Sequence, residues 1–440
     1  MRLRTLCTMG LPTAAARAFD TKVVSAAHTQ LAFSSALDDG AFTAAGAAEW
    51  VAASRHELRA NRCVALPTET VYGLAANALD ARAVQAIYAA KGRPSDNPLI
   101  VHVSSMRMLR ALYHMPACDA GSPLPFLGTA NAALEGARLQ AQLLQAEADD
   151  RARGGDGVWP EIPRVYHAAI RRFWPGALTL VLPRPPCIPM QVLGGHGVTV
   201  AVRFPSHPVA RAAISACGLP LAAPSANTSG RPSPTLAAHV VHDLAGRLPL
   251  VVDAGACDVG VESTVLDACS PAAFVDGALA PCILRPGGVT YEQLRALGGP
   301  YARLRVYRRD FTSAEIEANP TTPGMKYRHY SPSAPVRLFV PGSDPAQLRR
   351  RMQDALAGCA GKRVGVVTVG NARLVAAPGT RLVAHAVDDA RDMARRIFAL
   401  LRALDDAGVD VILVQGVDEA DEGLAVMNRL AKAASEHIVC

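Results

Sequence analysis

The sequence predicts an α/β protein with two domains of this class, joined by a segment rich in proline and glycine. Three observations support this prediction. At 440 residues, the chain is long enough for two or three domains, each with its own core. Short apolar segments alternate with amphipathic helical patterns between residues 64 and 297, and again after residue 335. Residues 299–335, between these regions, contain little strand pattern and several prolines and glycines.

The first region alternates strand and helix patterns. Apolar runs predict strands at residues 64–66, 99–103, 178–182, 198–202, 219–222 and 250–252. Apolar residues at three- and four-residue spacing predict helices at residues 81–90, 165–173, 209–217 and 235–244. These patterns indicate an α/β domain, but they fix neither the order nor the direction of its strands.

The second region predicts a smaller α/β domain. Strands are predicted at residues 336–340, 364–369 and 411–414, and helices near residues 345–356, 390–404 and 422–434. This region has no glycine-rich phosphate loop of either common type, so its pattern assigns no nucleotide to it. The predicted division is an extension at 1–45, a larger domain at 46–298 with an insertion near 113–160, a linker at 299–335 and a C-terminal domain at 336–440.

The N-terminal extension carries Arg2, Arg4 and Arg17 and has no acidic residue before Asp20. This composition is typical of a mitochondrial transit peptide, and a disordered start rich in alanine and arginine explains it equally well. The formal net charge of +7 suits anionic partners such as nucleotides or RNA, although scattered basic residues give the same balance without a partner. No uncharged apolar run reaches the ~18 residues of a membrane-spanning helix, so no membrane contact is predicted.

Chemically distinctive residues begin in the segment between Pro67 and His102. Residues 68–70 place two hydroxyls and a carboxylate after a strand, where they could bind an amine or hydroxyl ligand or cap the next turn. Lys91 and Arg93 end a helix, where cations meet the helix dipole favourably, but the same pair could clamp a phosphate. His102, on a strand, is either a core histidine or a ligand.

Further polar residues follow later strands. Arg203 ends an apolar strand, where it is either a ligand for a carboxylate or a surface residue. Ser225 and Asn227 form a turn after another strand, at the strand end where α/β folds bind ligands. Ser263 and Arg285 add a hydroxyl and a cation beside other strands. Several cations and hydroxyls without a nucleophile–base pair suit phosphoryl or nucleotidyl transfer, in which catalysis is mostly positioning and charge stabilisation.

Six sequence blocks occur in the order of one known family. They are PTETVYGL, KGRP-x-x-NPLIVH, FWPGALTLVL, PSANTSG-x-x-SPT, STVLD and LRPG, followed by a PGMKYRHYSP linker. With them the chain resembles the threonylcarbamoyl-AMP synthases, in the long form that has a YrdC-like catalytic domain, a linker and a second domain. The resemblance implies a YrdC-like twisted mixed sheet with flanking helices and a smaller, Rossmann-like C-terminal domain. It covers roughly residues 64–297 and the linker, and more loosely the rest.

The resemblance also implies a reaction. Threonine and bicarbonate form N-carboxy-threonine, whose carboxylate attacks the α-phosphate of ATP, so that pyrophosphate leaves and threonylcarbamoyl-AMP remains. A separate transferase then modifies the adenosine beside the anticodon of certain tRNAs, and direct tRNA contact stays open. Mg²⁺ would arrive with ATP and be held mainly by its phosphates, because no side-chain metal motif is present. The implied location is the cytoplasm, with a mitochondrial pool through the N-terminal extension.

Residue roles are implied by matching motif positions. ATP would be held by Lys91, Arg93, Asn97, Thr199, Ser225, Asn227, Arg285 and Tyr327, with Lys91 and Arg93 catalytic. Threonine would be held by Thr70, His102, Arg203 and Ser263. Arg203 would bind the threonine carboxylate. The linker around Tyr327 would close over the site as a lid, which protects a carbamate and a mixed anhydride from water.

Two other functions fit parts of the sequence. A basic α/β surface could bind double-stranded RNA or tRNA without catalysis, and such binding should weaken steeply with salt. A carbamoyl-transfer domain of a larger maturation enzyme would instead predict zinc-finger cysteine pairs and an acylphosphatase-like segment. The ten cysteines form no Cys-x-x-Cys pair, and no such segment is evident.

Overall fold

The computed structural model describes residues 19–26, 29–33, 42–45, 48–115, 117, 159, 161–318, 329–370 and 374–440. In these ranges the α-helices are α1 (Ala48–Arg59), α2 (Ala81–Lys91), α3 (Met106–His114), α4 (His167–Phe173), α5 (Pro208–Cys217), α6 (Ala237–Leu244), α7 (Tyr291–Arg295), α8 (Ala314–Ala318), α9 (Pro345–Ala357), α10 (Ala390–Asp406) and α11 (Glu422–Ala433). The described helices include none that is long and apolar enough to cross a membrane.

The strands fall into two main sheets and two small hairpins. The strands of the larger sheet are β1 (Lys22–Ser25), β4 (Val64–Leu66), β5 (Gly73–Asn77), β6 (Ile100–His102), β7 (Leu178–Pro183), β8 (Thr199–Arg203), β9 (Leu221–Ala222), β10 (Leu250–Asp253), β11 (Thr264–Asp267), β14 (Cys282–Arg285) and β15 (Arg305–Val306). The smaller sheet contains β16 (Val336–Val340), β17 (Arg363–Val369), β18 (Arg381–Val387), β19 (Val411–Gln415) and β20 (Glu436–Val439). The hairpins are β2 (Gln30–Phe33) with β3 (Phe42–Ala45) and β12 (Phe274–Val275) with β13 (Ala278–Leu279).

The larger sheet is mixed, which confirms the predicted fold class. Its order is β1-β10-β4-β5-β9-β6-β8-β7-β11-β14-β15. The pairs β1/β10, β10/β4, β6/β8, β7/β11 and β14/β15 are parallel, and the other neighbours are antiparallel. Helices pack on this sheet around one apolar core, in which Trp50, Tyr72, Tyr166 and Phe204 are fully buried.

The smaller sheet is parallel throughout, in the order β18-β17-β19-β16-β20. Successive residues of β16 face opposite sides, because Leu338 packs in the cluster that contains α10 and α11 whereas Phe339 packs with α9. A parallel sheet covered on both faces explains why its strands read as continuous apolar runs.

Residues at both ends of the predicted larger domain correct its boundaries. Lys22–Ser25 lies in the predicted extension but forms a strand parallel to β10, with Lys22 opposite Leu250, so the extension prediction is wrong there. Four residues carry too little periodicity to reveal an edge strand. Arg305–Val306 likewise continues this sheet into the predicted linker. Residues 1–18, which carry the transit-peptide pattern, and nearly all of the 113–160 insertion lie outside the described residues.

The smaller sheet's domain packs directly against the larger one. Val71 and Val261 of the larger domain share an apolar cluster with Tyr330 and with Phe398 of α10. At Gly260 the two backbones meet, because a Cβ there would lie 2.3 Å from the Arg395 carbonyl oxygen. The φ of +79° at Gly260 also favours glycine.

Candidate active site

Neighbouring strand ends of the larger sheet bring several predicted site residues together. His102 ends β6 and Arg203 ends β8, and the two are paired residues of these parallel strands. Thr179 of β7 lies opposite Arg203, and its Oγ1 is 2.7 Å from the Oγ of Ser263, which directly precedes β11. An imidazole, a guanidinium and two hydroxyls therefore meet at one place.

A cavity of about 50 Å³ lies at this place. Seven of the predicted site residues line it: Thr70, Arg93, His102, Arg203, Ser225, Ser263 and Arg285. Its other lining residues are Thr68, Val71, Gly73, Ile100, Ala223, Pro224, Glu262, His329 and Tyr330. The cavity thus combines residues predicted for threonine with residues predicted for ATP.

The turn after Pro67 holds the Thr70 hydroxyl in the cavity wall. The Oγ1 of Thr68 accepts hydrogen bonds from the Thr70 and Val71 backbone N–H groups, each at 3.2 Å. The same oxygen lies 2.8 Å from the Thr70 Oγ1 and donates to the Val71 carbonyl at 2.6 Å. Thr68 is therefore a local turn residue whose hydroxyl replaces missing backbone partners.

Arg203 is fixed by a carboxylate that the sequence did not assign. Its Nη2 donates to Glu69 Oε1 at 2.8 Å, and its Nε donates to the Gly176 carbonyl at 3.3 Å. Burial alone would raise the pKa of Glu69, but the Arg203 charge and the hydrogen bonds that Glu69 accepts hold this pKa below its usual range. Glu69 is therefore ionised, and it orients the guanidinium along the cavity wall.

His102 is neutral at physiological pH. Burial, and then the nearby Arg203 cation, lower its pKa to about 3. Its Nδ1 lies 3.1 Å from the Ile100 carbonyl oxygen. A neutral imidazole in this position adds hydrogen-bonding capacity without adding positive charge beside Arg203.

Two arginines form the cationic side of the cavity. Arg93 donates through Nε to the Asn97 carbonyl at 3.2 Å and through Nη2 to the Pro98 carbonyl at 3.1 Å. Arg285 donates through Nη2 to the Ser263 carbonyl at 2.9 Å. Burial lowers the pKa of both arginines, that of Arg93 to about 10, so Arg93 remains protonated near neutral pH. These guanidinium groups are oriented before any ligand binds.

Lys91 occupies a different position from the one its predicted role suggests. It is only 1% exposed, and its Nζ donates to the Ser225 carbonyl, to the Asn227 carbonyl at 2.5 Å and to Asn227 Oδ1 at 3.4 Å. Burial, with repulsion from Arg93, lowers the pKa of Lys91 well below its usual value. Lys91 thus holds the Ser225–Asn227 turn, and it does not line the cavity.

The remaining predicted residues have separate positions. Asn97 and Asn227 do not line the cavity: the Asn97 carbonyl accepts from Arg93, and the Asn227 amide bonds within its own turn. Thr199 lines a second cavity of about 250 Å³ with apolar residues such as Leu193. Tyr327 lies outside the described residues.

Glu262 is a cavity residue that the sequence analysis left without a role. Its Oε1 accepts from Ser233 Oγ at 2.6 Å, and its Oε2 accepts from Arg429 Nε at 2.9 Å. Burial would raise its pKa, but the Arg429 and Arg285 charges lower it to about 2. The only local signal is one acid in front of a strand, because its partner Arg429 lies 167 positions further along the chain.

The described end of the linker closes one side of the cavity. His329 and Tyr330 both line it, and the Tyr330 ring stacks on Phe398 of α10 with 5.2 Å between centroids. Tyr330 is fully packed between the two domains, at 4% exposure. Residues of the linker therefore form part of the site wall.

Comparisons with known proteins agree with this architecture. A family model described as "Telomere recombination" matches residues 56–121 and 153–287. A second model, described as "Threonylcarbamoyl-AMP synthase, C-terminal domain", matches residues 289–435. The first model's regions contain the strands of the larger sheet apart from β1 and β15, and the second model's region contains β15 and the strands of the smaller sheet apart from β20.

Relatives match over most of their own length. The Schizosaccharomyces pombe threonylcarbamoyl-AMP synthase is 42% identical over 383 residues, which cover 84% of this chain and 85% of that one. The Pyrococcus abyssi enzyme of the same name is 38% identical, covering 87% and 93%. The crystal structure of P. abyssi Sua5 complexed with L-threonine matches with a TM-score of 0.69 and 34% identity, over 96% of this chain and 100% of that one. The chain therefore belongs to the threonylcarbamoyl-AMP synthase family.

Proposed function

We propose that this chain is an ATP-dependent nucleotidyltransferase that makes L-threonylcarbamoyl-AMP from L-threonine, bicarbonate and ATP and releases pyrophosphate. One observation carries the proposal: a single cavity joins Arg203, His102 and hydroxyl groups to two preoriented arginines, Arg93 and Arg285. The family relationship and the threonine complex of a relative support it. The product would serve a separate transferase that modifies tRNA beside the anticodon.

The polar side of the cavity suits a small amino acid with a hydroxyl group. Arg203 offers a guanidinium to the threonine carboxylate, and such charge-assisted bonds are the stronger class of hydrogen bond. Thr70 and Ser263 offer hydroxyls, and His102 offers a neutral ring, to the amine and the side-chain hydroxyl. The amine attacks bicarbonate, loses a proton and leaves a carbamate, with water as the second product.

The cationic side suits the transfer step. A carbamate oxygen attacks the α-phosphorus of ATP, and the bond from that phosphorus to the pyrophosphate oxygen breaks. Arg93 and Arg285 stabilise the negative charge that develops on phosphate, and their fixed hydrogen bonds reduce the reorganisation required. Lys91 positions the Ser225–Asn227 turn beside them.

The second cavity offers room for the rest of the nucleotide. Thr199 and Arg203 are four residues apart on β8, so both side chains face the same side of the sheet. Four residues of strand span roughly 13 Å. ATP with its phosphates beside the arginines would reach Thr199 and the apolar cavity with its base.

Mg²⁺ would enter with the phosphates of ATP and supply charge neutralisation there. Among the described residues, no group of three His, Cys, Asp or Glu side chains is placed to hold a metal ion. Glu262, the carboxylate that lines the cavity, is already engaged by Ser233 and Arg429. These donors fit a metal carried by the substrate better than a resident one.

Pyrophosphate release tests the proposal. The purified protein should release pyrophosphate from ATP only when L-threonine and bicarbonate are both present, with L-serine as the control for amino-acid selectivity. Absence of release, together with tRNA binding that weakens steeply as salt rises, would favour an RNA-binding module instead. Direct tRNA contact, a cytoplasmic location and a mitochondrial pool remain predictions.

We propose that the linker acts as a lid, and His329 provides its test. His329 and Tyr330 form part of the wall of the cavity that Arg93 and Arg285 line, so movement of this segment would widen the cavity for the phosphates of ATP. His329→Ala should weaken the closed state and admit water to the carbamate and the anhydride. We expect more than one pyrophosphate released per threonylcarbamoyl-AMP recovered. His437→Ala, at an exposed histidine, is the control, and equal ratios in both variants would contradict the lid.

A further inference from the structure

Two arginines of the C-terminal domain reach buried carboxylates of the larger domain. Arg402 of α10 makes a two-pronged contact with Asp243, with Nη2 to Oδ2 at 2.8 Å and Nη1 to Oδ1 at 3.1 Å. The side chains of this pair are 3% and 0% exposed. Arg429 of α11 donates through Nε to Glu262 at 2.9 Å, and its side chain is 1% exposed.

Asp243 connects Arg402 to the turn assigned to ATP. Its Oδ2 accepts from the Thr228 backbone N–H at 3.2 Å, and its carbonyl accepts from the Thr228 hydroxyl at 3.2 Å. Thr228 directly follows Asn227, one of the residues that Lys91 holds. Arg402 Nη2 also donates to the Pro232 carbonyl at 2.5 Å, on the other side of the same loop. Arg402 of the second domain therefore holds this loop at both ends, directly at Pro232 and through Asp243 at Thr228.

Arg429 holds a different part of the cavity wall. Its partner Glu262 precedes Ser263, and its Nη1 donates to the carbonyl of Pro286, which follows Arg285. The Arg285 guanidinium in turn donates to the Ser263 carbonyl. One side chain of the second domain thus fixes the segments that carry a predicted threonine ligand and a predicted ATP ligand.

Stability alone gives little reason for these pairs. Burying two charges costs about as much as their attraction returns, and well-packed apolar residues often stabilise a protein equally well. A paired guanidinium and carboxylate do impose direction, because the planar fork fits the carboxylate in few orientations. Both pairs lie immediately behind cavity segments, where direction matters for catalysis.

We propose that Arg402 and Arg429 are positioning residues, through which the C-terminal domain holds the ATP turn and the Ser263–Arg285 wall in working geometry. The second domain is then part of the active site, although neither arginine touches substrate. This inference rests on the proposed function, since it assigns Arg402 to the binding of ATP and Arg429 to the binding of both substrates. It predicts different kinetic effects for the two residues.

Arginine-to-lysine variants test the proposal with a small change, because lysine keeps the positive charge but cannot donate two parallel hydrogen bonds as the planar guanidinium does. Arg402→Lys should raise the KM for ATP about tenfold and leave the KM for threonine within about twofold, roughly 1.4 kcal/mol of lost binding. Arg429→Lys should raise both KM values and lower kcat. Asp243→Asn, which alters the other member of the first pair, should repeat the selective effect of Arg402→Lys.

Arg391→Gln is the matched control. Arg391 lies on the same helix as Arg402 but pairs with Glu422 at 3.0 Å on the surface of its own domain. Arg391→Gln should match the wild type in kcat and in the KM values for ATP and threonine. Equal rises in both KM values for Arg402→Lys and Asp243→Asn, or values indistinguishable from Arg391→Gln, would overturn the proposal. The wild-type requirement for threonine and bicarbonate is read in the same assay, so failure of the proposed function would be seen separately.

Discussion

Arg203→Ala should raise the KM for L-threonine about 100-fold while the KM for ATP changes by less than about threefold. Loss of a charge-assisted hydrogen bond to the substrate carboxylate removes roughly 3 kcal/mol of binding. The phosphate side of the cavity is formed by Arg93 and Arg285, which donate to the Asn97, Pro98 and Ser263 carbonyls. Steady-state pyrophosphate release at varied threonine and varied ATP measures both constants.

Glu69 complicates this variant, because removing Arg203 leaves a buried carboxylate without its cation. Glu69→Gln is therefore measured beside it, since it removes the charge but can still accept from the His207 N–H that Glu69 now binds at 3.3 Å. We expect a much smaller rise in the threonine KM for Glu69→Gln. Equal losses for threonine and ATP in Arg203→Ala would contradict the assignment of Arg203 to the threonine carboxylate.

Lys91→Ala should lower kcat by about 100-fold, the size of effect that follows when groups around the reacting atoms are slightly misplaced. The structure gives the loss a different cause from direct phosphate contact. Without the ammonium, the Ser225 and Asn227 carbonyls lose a buried donor, and the turn beside the arginines relaxes. Single-turnover pyrophosphate release at saturating ATP measures the effect.

Lys362→Ala is the control for Lys91→Ala, because Lys362 is an exposed lysine before β17. Its turnover should equal that of the wild type. Near-normal turnover in Lys91→Ala would contradict this role. Lys91 would then only stabilise the C-terminal end of α2 through its charge. The thermal unfolding temperature of each variant distinguishes a local change in the Ser225–Asn227 turn from unfolding of the whole protein.

Elements with strong local signals were predicted well. Helix α2 was expected at 81–90 and spans Ala81–Lys91, with the Asp80 side chain accepting from backbone N–H groups at its start and Gly92 in a left-handed conformation at its end. Strand β4 has the predicted bounds. Apolar periodicity, capping and glycine position agreed in these segments, so no distant contact was needed to choose the structure.

Strand β5 shows where such signals fail. Gly73–Asn77 has no β-branched or aromatic residue, and it is a strand because β4 and β9 pair with it on either side. The edge strand Lys22–Ser25 likewise depends on its partner β10. Pairing between distant segments determines these strands, and no short window of sequence contains it.

The site residues were likewise predicted where a local motif marked them and missed where only distant contacts determine them. Motif positions gave the seven predicted residues that line the cavity. The partners that orient them were not predicted, because Glu69 with Arg203 and Glu262 with Arg429 join positions 134 and 167 residues apart. The position of Lys91 behind the turn was also missed, since a cation at a helix end can face either a ligand or the protein.

Mass spectrometry of the product tests whether the protein makes threonylcarbamoyl-AMP. The protein would be incubated with ATP, L-threonine and ¹³C-bicarbonate, and the adenylate pool analysed at once, before the anhydride hydrolyses. We expect threonylcarbamoyl-AMP that carries the ¹³C label and is missing when threonine is omitted. Threonylcarbamoyl-AMP without the label would contradict the proposed reaction. So would the absence of threonylcarbamoyl-AMP when ATP and threonine both bind to the protein.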